Sequence, residues 1–181
     1  MREFLTQHLV HVIAIALLVS RLGDIGTTWL VTPTLKVEAN PLVRRFGWKY
    51  AIATVVVALI PYYSIHGGVM ILTTSFIISA MNGSEAILAR SLGEDAYAEL
   101  HRQAMRKLSI PVGLSLMCLP GIFTVLLGLS LSLLFPVSVN NWGFDVAMGS
   151  TLSGLALLIF YPIRFVSERR ERTTTESLVA G

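Results

Sequence analysis

The chain is short of charge, of cysteine and of any familiar catalytic spacing. Only 14% of its 181 residues are charged while 54% are hydrophobic, against about 25% and about 45–50% in an ordinary soluble domain. A soluble fold of this size would leave much of that apolar surface facing water, so the composition points to a bilayer. Cys118 is the single cysteine, which excludes an intrachain disulfide; in its apolar run it reads as a small buried hydrophobe. G-x-S-x-G, H-E-x-x-H, a Walker loop and G-x-G-x-x-G are all missing. Their absence removes the recognised hydrolase, zinc-protease and nucleotide-binding signatures. It leaves no catalytic residue to name, and an enzyme is the less favoured class.

What is present is a series of apolar runs separated by small basic clusters. The net charge of +3 comes from those clusters and not from a continuous stripe, so a nucleic-acid partner is not expected; such clusters mark the cytoplasmic side of a membrane protein. The runs predict an all-α, polytopic membrane helix bundle over 1–166, with about five transmembrane helices at 9–32, 50–64, 67–84, 109–135 and 146–165. The first is long enough to cross a ~30 Å hydrocarbon core at ~1.5 Å per residue. A cleaved signal peptide competes for it, but no A-x-A-like site follows and the run ends in Arg21-Leu22-Gly23-Asp24. Tyr50 to Asn82 is nearly free of charge and too long for one ordinary span; Pro61 and Gly67-Gly68 divide it. Pro120-Gly121 predicts a kink in the fourth run. A polar loop at Asn140-Asn141 precedes the fifth, and the charged, Thr-rich stretch 167–181 reads as a disordered cytoplasmic tail.

With five crossings, twelve basic residues share one side, among them Lys36, Arg44, Arg45, Arg90, Arg102 and Arg164, against Arg2 on the other. The positive-inside rule then places the N-terminus outside the cell membrane and the C-terminus in the cytoplasm. Between the third and fourth spans, 91–108 reads as a cytoplasmic amphipathic helix. Ser91 and Glu94 have capping-box spacing, and Leu92, Ala96, Leu100, Ala104 and Leu108 recur every four residues. That stripe suits either the membrane surface or the protein's own cytoplasmic loops.

Polar groups inside spans are expensive and are candidates for function. Arg21 and Asp24 lie three apart on one helical face, with Thr27 and Thr28 following. Glu38 and Asn40-Pro41 come just beyond the span, and Asn82 and Glu85 end a span on the same side. The topology therefore brings Arg21, Asp24, Thr28, Glu38, Asn40 and Glu85 to similar depth. In one reading the carboxylates of Asp24, Glu38 and Glu85 with Asn40 supply oxygen ligands to a hard cation such as Mg²⁺ or Ca²⁺, or form a proton-relay carboxylate pair, with no other cofactor implied. In the other, Arg21 neutralises Asp24 and the remaining groups cap and turn the chain. His8, His11 and His66 fall near the opposite face and are weaker metal candidates. Gly23 to Thr28, and Ser150-x-x-x-Gly154, read as small-residue faces for close helix packing.

The order Asp24, Thr27-Thr28, then Glu38-Ala39-Asn40-Pro41 resembles the pattern of a family of small prokaryotic multi-pass membrane proteins described only as a domain of unknown function. The resemblance covers Gly23 to Trp48. It implies that Asp24, Thr28, Glu38 and Asn40 act together and implies no particular activity. Three functions follow as expectations: binding or passage of a small solute or cation at Asp24, Glu38 and Asn40; a membrane-embedded enzyme acting on a lipid or lipid-linked substrate; or an assembly or accessory protein. The partners expected are the lipid bilayer, a second copy of the chain, or another membrane protein.

Overall fold

The computed structural model describes residues 2–38, 40–135 and 142–179, with side chains described for 8–38, 40–135 and 142–169. The expected polar loop at Asn140-Asn141 lies outside them. No strand occurs among the described residues. Among the described residues four helices are long and apolar enough to cross a membrane. They are α1 (Arg2–Val31) over His8–Val31, α4 (Ile65–Leu92), α6 (Ile110–Leu134), and α7 (Trp142–Val179) over Trp142–Arg169. Pro120 lies within an unbroken α6.

In place of a fifth long helix stands the shorter apolar helix Trp48–Tyr62. It follows the short α2 (Pro41–Phe46) and consists of α3 (Trp48–Ala53) running into a 3-10 segment, Thr54–Tyr62. The β-branched run Val55-Val56-Val57 is a weak α-former and Pro61 lacks an N–H, which accounts for the tighter winding. A 3-10 helix rises about 2.0 Å per residue, so Thr54 to Tyr62 advances about 16 Å. The neighbouring α1 covers about 15 Å from Arg21 back to His11. The contacts keep that register: Arg21 meets Thr54 and His11 meets Tyr62.

The Trp48–Tyr62 helix packs on α1 and α4, which also pack on each other; α7 covers another side of α4, and α6 packs chiefly on α7. Large apolar side chains such as Ile15, Val19, Phe123 and Leu133 stay exposed, the outward face a bilayer would cover. The α6–α7 seam is set by glycines. A Cβ on Gly154 would lie 2.6 Å from the Val125 backbone nitrogen and 2.7 Å from the Gly121 carbonyl, and one on Gly128 would lie 2.7 Å from the Ala147 carbonyl. The Ser150–Gly154 face thus packs closely, with Ser150 buried.

At the end of the bundle where α1 and α4 finish lies α5 (Glu94–Lys107). Gly93, at φ 80°, turns the chain from α4 into α5, a backbone conformation glycine adopts without strain. The expected capping box does not form. Ser91 stays in α4 with its hydroxyl donating to the Leu88 carbonyl at 2.9 Å. Glu94 instead accepts from the Thr32 hydroxyl at 2.7 Å and from the Thr34 backbone N–H at 3.0 Å, fastening α5 to the segment after α1. Burial opposes ionisation of Glu94, but these hydrogen bonds outweigh it and hold the carboxyl below its ordinary range.

The face of α5 turned to the protein is Tyr97, Ala98 and Met105, of which Tyr97 and Ala98 close a small core with Val31, Val37, Ala86 and Ala89. The stripe of Leu92, Ala96, Leu100 and Ala104 remains exposed. Arg169 donates to the carbonyls of Met105, Arg106 and Leu108, satisfying acceptors that a helix C-terminus leaves unpaired. Arg164, 5% exposed, bonds Glu168 and the His101 ring. The backbone helix continues through 167–179, where the sequence predicts a disordered tail.

Candidate functional site

Arg21 and Asp24, one turn apart in α1, form an ion pair at 2.7 Å, and Asp24 is buried. A guanidinium has five N–H donors, and the rest of the bundle supplies acceptors: the Thr54 hydroxyl at 2.6 Å and the Ser75 hydroxyl at 3.4 Å. Its Nε is buried with no hydrogen-bond partner among the described residues. Asp24 lies about 10 Å inside the end of α1 at Val31, at the ~1.5 Å rise of an α-helix. One turn nearer that end, Thr28 accepts from the Asn82 amide of α4 at 2.9 Å.

The connection from α1 to α2 folds back over this cluster. Glu38 accepts the Asn40 backbone N–H at 2.6 Å, and the Asn40 side chain accepts the Leu42 N–H at 2.9 Å. Asn40 is thus the N-cap of α2 with Pro41 as the first helical residue, an arrangement both residue types favour. The Trp48 indole N–H donates to the Pro33 carbonyl at 2.9 Å and pins the start of α3 beside the end of α1.

These elements enclose a cavity of about 190 Å³. Arg21, Asp24, Thr28, Glu38 and Asn40 all line it, with Thr54 and Asn82. The remaining wall mixes aliphatic side chains such as Ile25, Ile78 and Leu157 with four aromatic ones, Trp48, Tyr50, and Phe160 and Tyr161 of α7. The ionisable side chains of Arg21, Asp24 and Glu38 give the lining one basic and two acidic groups. Such a chamber, with oxygen acceptors and aromatic faces together, suits a small polar or cationic group.

Glu85 is not among the lining residues. It accepts from the Tyr97 hydroxyl of α5 at 3.0 Å, and burial followed by the Glu85 charge raises the Tyr97 phenol above its ordinary range, keeping it a donor. The sequence alone does not single out Thr54, Ser75, Tyr50 or Tyr161. The one available signal is Arg21 itself, a guanidinium within an apolar run whose extra donors require acceptors from facing elements.

The histidines stand apart from this site. His11 Nδ1 meets the Tyr62 hydroxyl at 2.9 Å and His66 Nδ1 meets the buried Asp145 of α7 at 2.6 Å. Among the described residues no three His, Cys, Asp or Glu side chains group to hold a metal ion, so His8, His11 and His66 form no common site. Comparison of the chain with family models, with curated proteins and with solved structures finds no match.

Proposed function

We propose that this chain is a five-span protein of the cell membrane, N-terminus outside and C-terminus cytoplasmic, that binds a small cation or cationic solute in the cavity at Asp24, Glu38 and Asn40. The carrying observation is that residues from α1, the α1–α2 connection, α3, α4 and α7 surround about 190 Å³ of space. A clasp that only neutralised Arg21 would close on itself; several waters or one small solute fit in this volume. Asp24 and Glu38 supply negative charge, Thr28 and Asn40 supply oxygen, and Arg21 holds Asp24 in place. The fifth crossing is supported by the reach of Trp48–Tyr62, from the Pro33 carbonyl to His11. The orientation rests on the basic residues gathered at the α5 end. The grouping of Asp24, Thr28, Glu38 and Asn40 also accords with the family pattern their spacing resembles.

The test is thermal unfolding of the detergent-purified protein with Mg²⁺, Ca²⁺ or methylammonium, beside Asp24→Asn and Glu38→Gln. A ligand stabilises the state that binds it, so at least one probe should raise the melting temperature of the wild type and neither variant should respond. A response that survives in both variants, or none with any probe, overturns the proposal.

A further inference from the structure

A second cavity of about 410 Å³ adjoins the first, lined by Leu22, Ile25, Gly26, Trp29, Trp48 and Ile52. Its walls are apolar, and Ile25 and Trp48 belong to both cavities. Leu22, Trp29 and Ile52 are each half or more exposed, so the trough opens sideways on the outer face of a membrane-crossing helix, where lipid chains lie. Gly26 forms part of its wall, and a Cβ placed there would meet nothing within 4 Å. Gly113, Gly121, Gly128, Gly149 and Gly154 would all clash. Glycine is a poor helix former, and at Gly26 no packing contact accounts for it. What the missing side chain leaves is room in the trough. Beside it, the Arg90 guanidinium lies 4.9 Å from the centre of the Trp29 ring, a cation and an indole at the end of the span, where lipid headgroups sit.

We infer that the ligand of the polar cavity is the head of an amine-bearing phospholipid, entering laterally, whose acyl chain lies in the trough walled by Leu22, Gly26 and Ile52. This rests on the cavity reading above. The lipid's ammonium faces Asp24, Glu38 and the aromatic wall, and its phosphate is left toward Arg90. The carboxylates of Asp24 and Glu38 in the lining suit such a head, whereas a phosphoglycerol head brings no cation to them.

The experiment is native mass spectrometry of the full chain in mild detergent with added phosphatidylethanolamine or phosphatidylglycerol, for the wild type, Gly26→Leu and Ile52→Trp. Both substitutions put bulk into the trough from opposite walls, and Gly26→Leu meets open space, so its melting temperature in detergent should not fall. The wild type should retain phosphatidylethanolamine in preference to phosphatidylglycerol, and each folded variant should bind it about tenfold or more weakly, as loss of a buried chain segment predicts. Retention unchanged in both variants, or equal retention of the two lipids, overturns the inference. If methylammonium still stabilises the wild type in that case, the cavity reading stands and only the lipid is wrong. If methylammonium, Mg²⁺ and Ca²⁺ all fail and Glu38→Gln retains lipid as the wild type does, both fall.

Discussion

Gly154 and Gly26 sit within long apolar helices among other small residues, and they serve opposite ends. Gly154 lets α7 and α6 meet backbone to backbone, whereas nothing approaches within 4 Å of the place a Gly26 side chain would take. The same contrast separates two regions of the molecule. The α6–α7 seam is built from close contact and local hydroxyl-to-carbonyl bonds such as Thr124 to Pro120 and Thr151 to Ala147. The α1–α3–α4 side keeps an ion pair, aromatic walls and open volume. One region is optimised for packing; the other gives up packing for polar groups that a bundle does not need.

The contrast breaks most severely at Arg21. Removing one partner of a buried pair leaves an uncompensated charge, with typical losses of about 3–5 kcal/mol. Arg21→Met should therefore unfold in denaturant with a loss of that order, and an unchanged midpoint would show that Asp24 does not depend on Arg21.

The two glycines provide a test of sign. Gly154→Ala should destabilise the protein by about 3 kcal/mol, the upper part of the overpacking range, while Gly26→Ala should stabilise it by up to about 1 kcal/mol through helix propensity. Losses of similar size from both would erase the distinction between seam and trough.

The junction of α5 with α7 sharpens the picture through pH. Burial, then the neighbouring Arg164 charge, lowers His101 to about 4. The unfolded chain therefore takes up a proton below about pH 6.5 that the folded one refuses, so this stability is whole above pH 6.5 and is lost as pH falls toward 4. By pH 5 the loss is about 2 kcal/mol, read as a drop in melting temperature that His101→Asn should not show. An equal drop in that variant would place the acid sensitivity elsewhere.

Much of this was legible in the residues. Arg21 and Asp24 are three apart, and the break between the second and third spans brings Glu38 and Asn82 to the depth of Thr28, so their meeting follows from topology alone. The break falls at Tyr63-Ser64, with Gly67 and Gly68 inside α4, because Ser64 caps that helix, its hydroxyl accepting the Gly67 N–H at 3.1 Å. Glu85 was misplaced because Tyr97 draws it toward α5, a contact across Gly93 that no periodicity reveals. Among the described residues four candidate spans stand where five were expected because the second, Trp48–Tyr62, is a shorter apolar helix whose later part winds as 3-10. Gly26 was read as a packing residue; sequence gives the same small-residue pattern whether a helix faces a partner or an open trough.

The central claim is that Asp24 and Glu38 share one ligand chamber, and Trp48 in its wall is a built-in reporter. The chain has three tryptophans, so replacing Trp29 and Trp142 with Phe leaves Trp48 as the sole indole emitter. Titrating the purified protein with the probe that raises its melting temperature should shift Trp48 emission saturably, and Glu38→Gln should abolish the shift. Emission that stays constant while the probe stabilises the protein, or a shift untouched by Glu38→Gln, would contradict the account.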